Sequence, residues 1–154
     1  MKNDSSLERQ KVLFRLERGD DGYPPVAVEG LWALRQPDGS HVVDNIPFFA
    51  LGIAPGDTVL TLTRGKEVWF DRLHAAGGAS VFRIRANDAG GLEKIREDLL
   101  GLGLPSEINR QLLLVAVEVP AASDIRPLLD YLVSNQEVAR LDFEEAALRH
   151  SIPD

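Results

Sequence analysis

The sequence contains no cysteine, and this absence excludes several kinds of chemistry at once. Without thiols the chain has no disulfides, no thiolate metal sites and no cysteine nucleophile. Only three histidines are present, which is few for a transition-metal site. We therefore expect no bound metal and no cofactor. A cysteine-free composition also fits a reducing compartment.

Long hydrophobic runs are absent as well. Met1–Gln10 is polar and mixed in charge, and no later segment approaches 18 uninterrupted apolar residues. The sequence therefore predicts neither a secretory signal nor a transmembrane helix. We expect a cytoplasmic protein without a membrane partner, in which residues 1–10 form a flexible tail.

Basic side chains are scarce in the second half of the chain. The 154 residues carry a net charge of −7. Residues 1–86 hold 11 acidic and 11 basic side chains, whereas residues 87–154 hold 13 acidic and 6 basic ones. An acidic surface repels phosphate backbones and attracts basic proteins. We therefore expect a basic protein partner and no nucleic acid, although mild acidity also serves solubility alone.

What is present between residues 11 and 79 is a series of short β-type segments separated by turns. Alternation of apolar and polar residues predicts strands, and the Gly, Pro and Asp clusters between them predict turns. The second strand is expected to point Val28, Trp32 and Leu34 inward. This region predicts a small β-barrel or a strongly bent antiparallel sheet. The predicted strands are 11–18, 26–35, 41–43, 58–63 and 67–73.

Residues 80–148 show a different period. Apolar residues at spacings of three and four predict helices near 89–101 and 123–135, with Asn87 or Asp88 and then Ser123-Asp124 as caps. Strands are predicted at 80–86, 104–108, 112–119 and 140–148. The order βαββαβ is that of a ferredoxin-like sandwich. We therefore predict an α+β protein in which the N-terminal β-rich subdomain, 11–79, packs on a ferredoxin-like subdomain, 80–148, as one cooperative unit.

The same alternation predicts which large side chains are buried. The expected core residues are those on the inward faces of the predicted strands and helices: Phe14, Trp32, Phe82, Leu99, Val115, Leu129 and Phe143.

No catalytic constellation stands out, and we predict no catalytic residues. His74, Asp71 and Ser80 are the residue types of a hydrolase triad, but the Gly-x-Ser-x-Gly elbow is absent. Gly90-Gly91 lies near a helix start without a phosphate-binding motif around it. His41 and Asp44, three apart on an extended segment, would point to opposite faces.

The densest acidic cluster lies on the last predicted strand. Asp142 and Glu144 share its outward face, with Leu141 and Phe143 inward, whereas Glu145 points the other way. A solvated sheet surface is the ordinary interpretation of such a cluster. A partner-binding acidic patch is the functional interpretation, and Asp142 and Glu144 are its candidates.

The segment Asp44–Gly52 places two adjacent aromatic residues, Phe48 and Phe49, beside turn-forming residues. Two neighbouring side chains cannot both be buried on one side of an extended segment, so an exposed phenylalanine would mark an interface or a ligand groove. The alternative is a loop that folds both rings into one end of the barrel. Asp44, Phe48 and Phe49 are therefore candidate partner-binding residues.

Several strings of the chain resemble a bacterial family that is known only as a domain of unknown function. They are Lys11–Glu17 (KVLFRLE), Asp21–Val26 (DGYPPV), the Trp32 strand, Asp44–Ala50 (DNIPFFA), Gly56–Val59 (GDTV) and Trp69-Phe70. The resemblance covers nearly all of residues 11–148. It implies a small stand-alone protein and carries no reaction, cofactor or site residue with it.

The leading functional hypothesis is a non-enzymatic protein-binding module, of the kind that immunity and antitoxin proteins provide against a basic toxin. It rests on the missing catalytic constellation and the one-sided acidic charge. The alternative is a small-ligand-binding or enzymatic domain that uses a cleft between the two subdomains, lined by the Asp44–Phe49 loop.

Overall fold

A computed structural model describes residues 8–152. The chain divides between Gly77 and Gly78 into two compact units, and each has its own core. The protein is mixed α+β, with two helices, a closed barrel and a separate antiparallel sheet in the described residues.

The first unit is a closed five-stranded barrel, so the predicted barrel-like architecture is confirmed. Its strands are β1 Arg9–Arg15, β2 Val28–Arg35, β3 His41–Val43, β4 Thr58–Arg64 and β5 Glu67–Ala75. Successive strands pair antiparallel, and β1 closes the barrel by pairing parallel with β5, Val12 opposite Val68 and Leu13 opposite Trp69. Closure leaves no edge strand in this sheet.

The barrel interior is filled by alternate residues of its strands. Phe14 of β1 stacks on Phe70 of β5, with ring centroids 4.6 Å apart. The loop between β3 and β4 contributes Ala50 and Ile53 to the same core, which connects it to the barrel. The buried members are Val12, Phe14, Leu31, Ala33, Val43, Ala50, Ile53 and Val59.

The predicted inward position of Trp32 is wrong. Leu31 and Ala33 face the interior, so by the alternation of a strand Trp32 points outward and is 39% exposed. The guanidinium of Arg9 and the ammonium of Lys11 lie 4.9 and 5.0 Å from the Trp32 ring centre. These cations cover part of the apolar ring, and the smaller Leu31 and Ala33 fill the barrel interior instead.

The predicted flexible tail, residues 1–10, overlaps the first strand. Arg9 and Gln10 already belong to β1, where they lie opposite Leu34 and Ala33 of β2. The strand begins earlier than its hydrophobic pattern because backbone hydrogen bonds to β2 do not require apolar side chains. Residues 1–7 lie outside the described residues.

The second unit is a four-stranded antiparallel sheet with two helices. Its elements are β6 Ser80–Ala86, α1 Ala89–Gly101, β7 Ser106–Asn109, β8 Leu114–Val119, α2 Arg126–Glu137 and β9 Leu141–Ala147. The strand order in the sheet is β7-β8-β6-β9, and each neighbouring pair is antiparallel. β7 and β9 are therefore the edges of this sheet.

The two helices start in different ways. Asp88 caps α1, because its carboxylate accepts a hydrogen bond from the Gly91 backbone N–H at 2.7 Å. The predicted cap of α2, Ser123-Asp124, is wrong: the helix begins at Arg126 after Ile125, which makes no side-chain capping bond, although the Asp124 carboxylate accepts from the Arg126 N–H at 3.0 Å. Between residues 8 and 152, no helix has the length and apolar character that a membrane span requires.

The core of the second unit lies between its helices and one sheet face. Phe82, Leu99 and Val115 are fully buried there, as predicted. Leu129 and Phe143 are only partly buried, although both pack against this core. Phe143 belongs to the edge strand β9, which has a strand neighbour on one side only, and this explains its incomplete burial.

The difference in burial predicts a difference in stability. Phe82→Ala should lower the free energy of unfolding by about 3–5 kcal/mol, as expected for the loss of a fully buried ring. Phe143→Ala should cost clearly less, since that ring already contacts solvent. Chemical denaturation of both variants measures the two losses in the free energy of unfolding. An equal loss would contradict the difference in burial between Phe82 and Phe143.

Candidate functional site

The most organised polar feature of the barrel unit is the carboxylate of Glu29. Glu29 lies on β2, opposite Phe14 of β1, at one end of the barrel. Its two oxygens accept hydrogen bonds from three successive backbone N–H groups, those of Phe48 at 2.7 Å, Phe49 at 3.1 Å and Ala50 at 2.8 Å. Charge-assisted hydrogen bonds of this kind are stronger than neutral ones. Glu29 therefore fixes the backbone of the loop that carries both phenylalanines.

A second contact holds the start of the same loop. The Asn45 side-chain oxygen accepts a hydrogen bond from the Trp32 backbone N–H at 3.2 Å. Ile46 and Pro47 are buried beside it. The loop is thus connected to β2 at two points, Trp32 and Glu29, so its aromatic side chains are held in place before any partner binds.

Phe49 forms one wall of an apolar cavity of about 240 Å³, which we call the aromatic pocket. The stacked pair Phe14 and Phe70 also borders it, and Leu51, 69% exposed, stands at its rim. Its lining also contains two exposed charged residues. The full lining is Phe14, Arg15, Leu16, Glu17, Phe49, Ala50, Leu51, Ile53 and Phe70.

The Asp21–Val26 loop supports the back of Phe49. The Tyr23 ring meets Phe49 edge-to-face, with centroids 6.0 Å apart. The Arg18 guanidinium donates hydrogen bonds to the backbone oxygens of Pro24 at 2.9 Å and Gly22 at 3.0 Å, which orders this loop. Two sequence strings that are distant along the chain therefore build the same site.

Removing the charge of Glu29 should loosen the loop. In Glu29→Gln the side-chain NH₂ group would face backbone donors, leaving at least one N–H without an acceptor. We expect the free energy of unfolding to fall by about 1–3 kcal/mol. Glu67→Gln, a matched change at an exposed position of β5, should have little effect. Denaturation curves that coincide for the two variants would refute the role given to Glu29.

The predicted acidic residues lie on β9, at one edge of the second sheet. Asp142, Glu144 and Glu145 are all exposed. Asp142 accepts a hydrogen bond from the Gln136 side-chain amide at 2.7 Å, and Glu144 lies 3.7 Å from the buried guanidinium of Arg83. Asp142 and Glu144 are thus accessible to a partner, while each also has a contact within its own unit.

The other predicted partner-binding residues belong to the barrel unit. Phe48 and Phe49 are half-buried, and their ring centroids are 6.4 Å apart. The remaining candidate, Asp44, is exposed and lies 3.9 Å from Arg9. Glu29 and the aromatic pocket were not predicted from the sequence. The role of Glu29 could not be predicted, because a single acidic residue in a strand sequence does not show which backbone amides it will bind.

A polar cavity of about 220 Å³ lies between α1 and α2. Inside it the Asp98 carboxylate accepts hydrogen bonds from Lys94 at 2.7 Å and from the Tyr131 hydroxyl at 2.8 Å. Burial, together with this hydrogen bond, raises the pKa of Tyr131, and the bond to Asp98 raises the pKa of Lys94. These three side chains satisfy one another, which favours a structural role for them.

Ser80 has a histidine partner that the sequence did not suggest. Its hydroxyl lies 2.7 Å from Nδ1 of His150, and Nε2 of the same ring lies 3.0 Å from the Pro120 carbonyl oxygen. Since Nε2 must donate to that carbonyl, a neutral ring accepts the Ser80 proton at Nδ1. The Ser80 oxygen also accepts from the backbone N–H groups of Arg149 and His150. Ser80 is fully buried, so the arrangement anchors the C-terminal segment and offers no accessible nucleophile.

His41 is a buried histidine on β3, opposite Val59 of β4. Its Nε2 lies 2.7 Å from the Gln10 side-chain oxygen, and Nδ1 lies 3.5 Å from the Thr61 hydroxyl. Burial lowers the pKa of His41, and the positive charge of Arg35 lowers it further. Asp44 is exposed at the strand end, whereas His41 is 3% exposed.

In the described residues, no three His, Cys, Asp or Glu side chains form a group suited to a metal ion.

The lowered pKa of His41 predicts a pH dependence of stability. The folded state binds this proton less readily than the unfolded chain, whose histidine has a pKa near 6.5. The free energy of unfolding should therefore fall as the pH is lowered through 6.5 and below. His41→Gln should flatten this part of the pH profile, and His74→Gln, at an exposed position, should not. A profile unchanged by His41→Gln would contradict the assignment.

One carboxylate has a raised pKa. Burial raises the pKa of Glu118, on β8, above the ordinary value for glutamate. Glu118 lines neither the aromatic pocket nor the cavity between α1 and α2. The carboxylate best suited to general acid catalysis therefore does not border either cavity.

The fold and the pocket define a class of small two-unit α+β proteins. The chain belongs to the family described as Domain of unknown function (DUF4265), whose model matches residues 29–143. The matched region includes Glu29, the Asp44–Ala50 loop and both helices. The resemblance inferred from the sequence strings is thus confirmed at the level of a family without a described function.

The chain is also similar to a solved structure of a hypothetical protein from Neisseria gonorrhoeae. The two are 25% identical, and the match covers 92% of this chain and 98% of the other, with a TM-score of 0.71. This similarity supports the mixed α+β fold over both units. Comparison with curated proteins gave no match.

Proposed function

We propose that this protein works by binding another protein, and that the aromatic pocket receives an apolar side chain of the partner. The observation that carries the proposal is the loop fixed by Glu29, because it keeps Phe49 at the wall of an open apolar cavity. A cavity of about 240 Å³ is large enough for one such side chain. Preorganisation of this kind lowers the entropic cost of association.

The exposed rim of the pocket supports the same proposal. Leu51 is 69% exposed and Tyr23 is 36% exposed, so apolar and aromatic surface is available around the cavity. Aromatic anchors and the pockets they fill are typical centres of binding energy in protein interfaces. No covalent chemistry is assigned to the pocket, and its lining holds only two charged side chains, Arg15 and Glu17.

We further propose that the partner is basic. The excess negative charge lies in residues 87–154, and Asp142 and Glu144 display part of it on an exposed edge strand. Charge of this kind mainly accelerates association, over a screening length of about 8 Å at physiological salt. An immunity- or antitoxin-type inhibitor of a basic toxin in the cytoplasm is the form of this function that the charge favours.

The second unit supports the proposal through its architecture. We infer a ferredoxin-like sandwich from the order β6-α1-β7-β8-α2-β9 combined with the sheet order β7-β8-β6-β9 and its antiparallel pairs. Such a unit presents an edge strand, here β9, at which acidic side chains also discourage unspecific strand pairing.

The pocket is tested by a charge placed on its rim. Leu51→Asp should weaken binding to a partner captured with the wild-type protein by about tenfold or more, since an apolar contact would be replaced by a desolvated carboxylate. Leu100→Asp is the matched control, because Leu100 is 64% exposed on α1 of the second unit. Titration calorimetry measures both, and equal affinities for the two variants would reject the pocket as the site.

The charge contribution is tested separately by neutralisation. Asp142→Asn with Glu144→Gln should slow association at low salt, while Glu97→Gln with Asp130→Asn, an equal charge change on the helices, should slow it less. Neutralisation is preferable to reversal, since a lysine at 144 would face the buried Arg83. Stopped-flow rates at two salt concentrations decide this. An acidic partner, or rates that neither pair changes, would contradict the proposal.

A further inference from the structure

The outer surface of the barrel carries a row of basic and aromatic side chains, of which Arg15 alone also lines the aromatic pocket. In β1, Val12 and Phe14 are buried in the barrel, so Arg9, Lys11, Leu13 and Arg15 point outward. The register places Trp32 of β2 opposite Lys11, and Trp69 of β5 opposite Leu13. We call Arg9, Lys11, Arg15, Trp32 and Trp69 the basic-aromatic face.

The cations of this face lie over its two indole rings. Arg9 and Lys11 are within 5.0 Å of the Trp32 ring centre, and the Arg15 guanidinium is 5.0 Å from that of Trp69. Cation–π pairs of this type occur about once per 70–80 residues. In this chain three of them meet along one strand. Trp32 and Trp69 are also the only tryptophans of the sequence, so both indoles belong to this face.

The local charge of the face is positive although the chain is acidic. Lys11 and Arg15 are exposed and have no ion pair among residues 8–152, while Arg9 is 3.9 Å from Asp44. The carboxylates on the neighbouring strands have cations of their own: Glu67 on β5 lies opposite Arg64 on β4, and Asp71 is 2.8 Å from Arg72. Lys11 and Arg15 therefore remain available to an anionic ligand.

We propose that the basic-aromatic face binds single-stranded nucleic acid. Indole rings offer flat surfaces for base stacking, and lysine and arginine beside them neutralise phosphates, which is the combination that sequence-independent single-strand binding uses. Trp32 and Trp69 flank β1 on neighbouring strands, so their backbones are separated by about 10 Å across the sheet. Two nearby bases can therefore stack on two separate rings when the cations that lie over the indoles turn to the phosphates.

An acidic protein segment fits this face less well. It would pair with the three cations but would provide no planar group for either indole. The net charge of −7, which argues against nucleic acid for the chain as a whole, resides in residues 87–154 and not on the barrel. Because long-range repulsion from those residues remains, binding should be weak. It should weaken further as salt is added, because binding of the three cations to phosphates releases counterions.

Tryptophan fluorescence tests the proposal directly, since the two indoles report on this face alone. Titration of the full-length protein with an oligothymidylate at low salt should quench the emission, and the quenching should weaken as salt is added. Trp69→Phe should fold normally, because the indole nitrogen of Trp69 is buried without a hydrogen-bond partner in residues 8–152. This variant isolates the Trp32 signal, which should still be quenched.

Charge variants show whether the face itself makes the contact. Lys11→Glu, at a position that does not line the aromatic pocket, should weaken binding about tenfold and reduce the slope of log K against log salt by about one or more. Arg96→Glu, an equal charge change at an exposed position of α1, should leave both nearly unchanged. Absence of quenching at low salt, equal losses in the two variants, or the same quenching by polyglutamate would each overturn the proposal.

Discussion

The Glu29 carboxylate accepts hydrogen bonds from three successive backbone N–H groups, and the candidate site depends on this interaction. Those amides belong to Phe48, Phe49 and Ala50, in a loop between two strands of the barrel. Without an acceptor they would need water, and the loop would no longer be held against β2. The position of Phe49 at the wall of the aromatic pocket depends on this carboxylate, and the Asn45 contact and the buried Ala50 support it.

Much of the fold could be predicted from local patterns. Alternation of apolar residues before Asn87 predicts strands, and spacings of three and four after it predict helices. These two patterns together predict the mixed α+β fold class. The face of β2 could not be predicted, because Val28, Trp32 and Leu34 alternate as regularly as Leu31 and Ala33 do. Barrel closure decides between the two sets: the interior accommodates the smaller side chains, and the large indole lies outside under two cations.

The sequence singled out two residues of the loop beside the aromatic pocket but did not indicate the pocket itself. Phe48 and Phe49 were identified as unusual neighbours, but the pocket also needs Phe14, Phe70 and the distant Tyr23, which only tertiary structure brings together. The charge count gives an acidic excess for residues 87–154 but averages over the barrel, where Lys11 and Arg15 lie over the two indole rings. A sequence average cannot show how charges are distributed over separate faces.

The central claim is that Glu29 holds the Phe48–Ala50 backbone in place, and amide hydrogen exchange tests it most directly. In the wild-type protein, the N–H groups of Phe48, Phe49 and Ala50 should exchange much more slowly than that of Leu51, which is 69% exposed in the same loop. In Glu29→Gln these three amides should lose protection while those of the barrel core, such as Val12, keep theirs. Rapid exchange of the three amides in the wild-type protein, or protection unaffected by Glu29→Gln, would contradict the account.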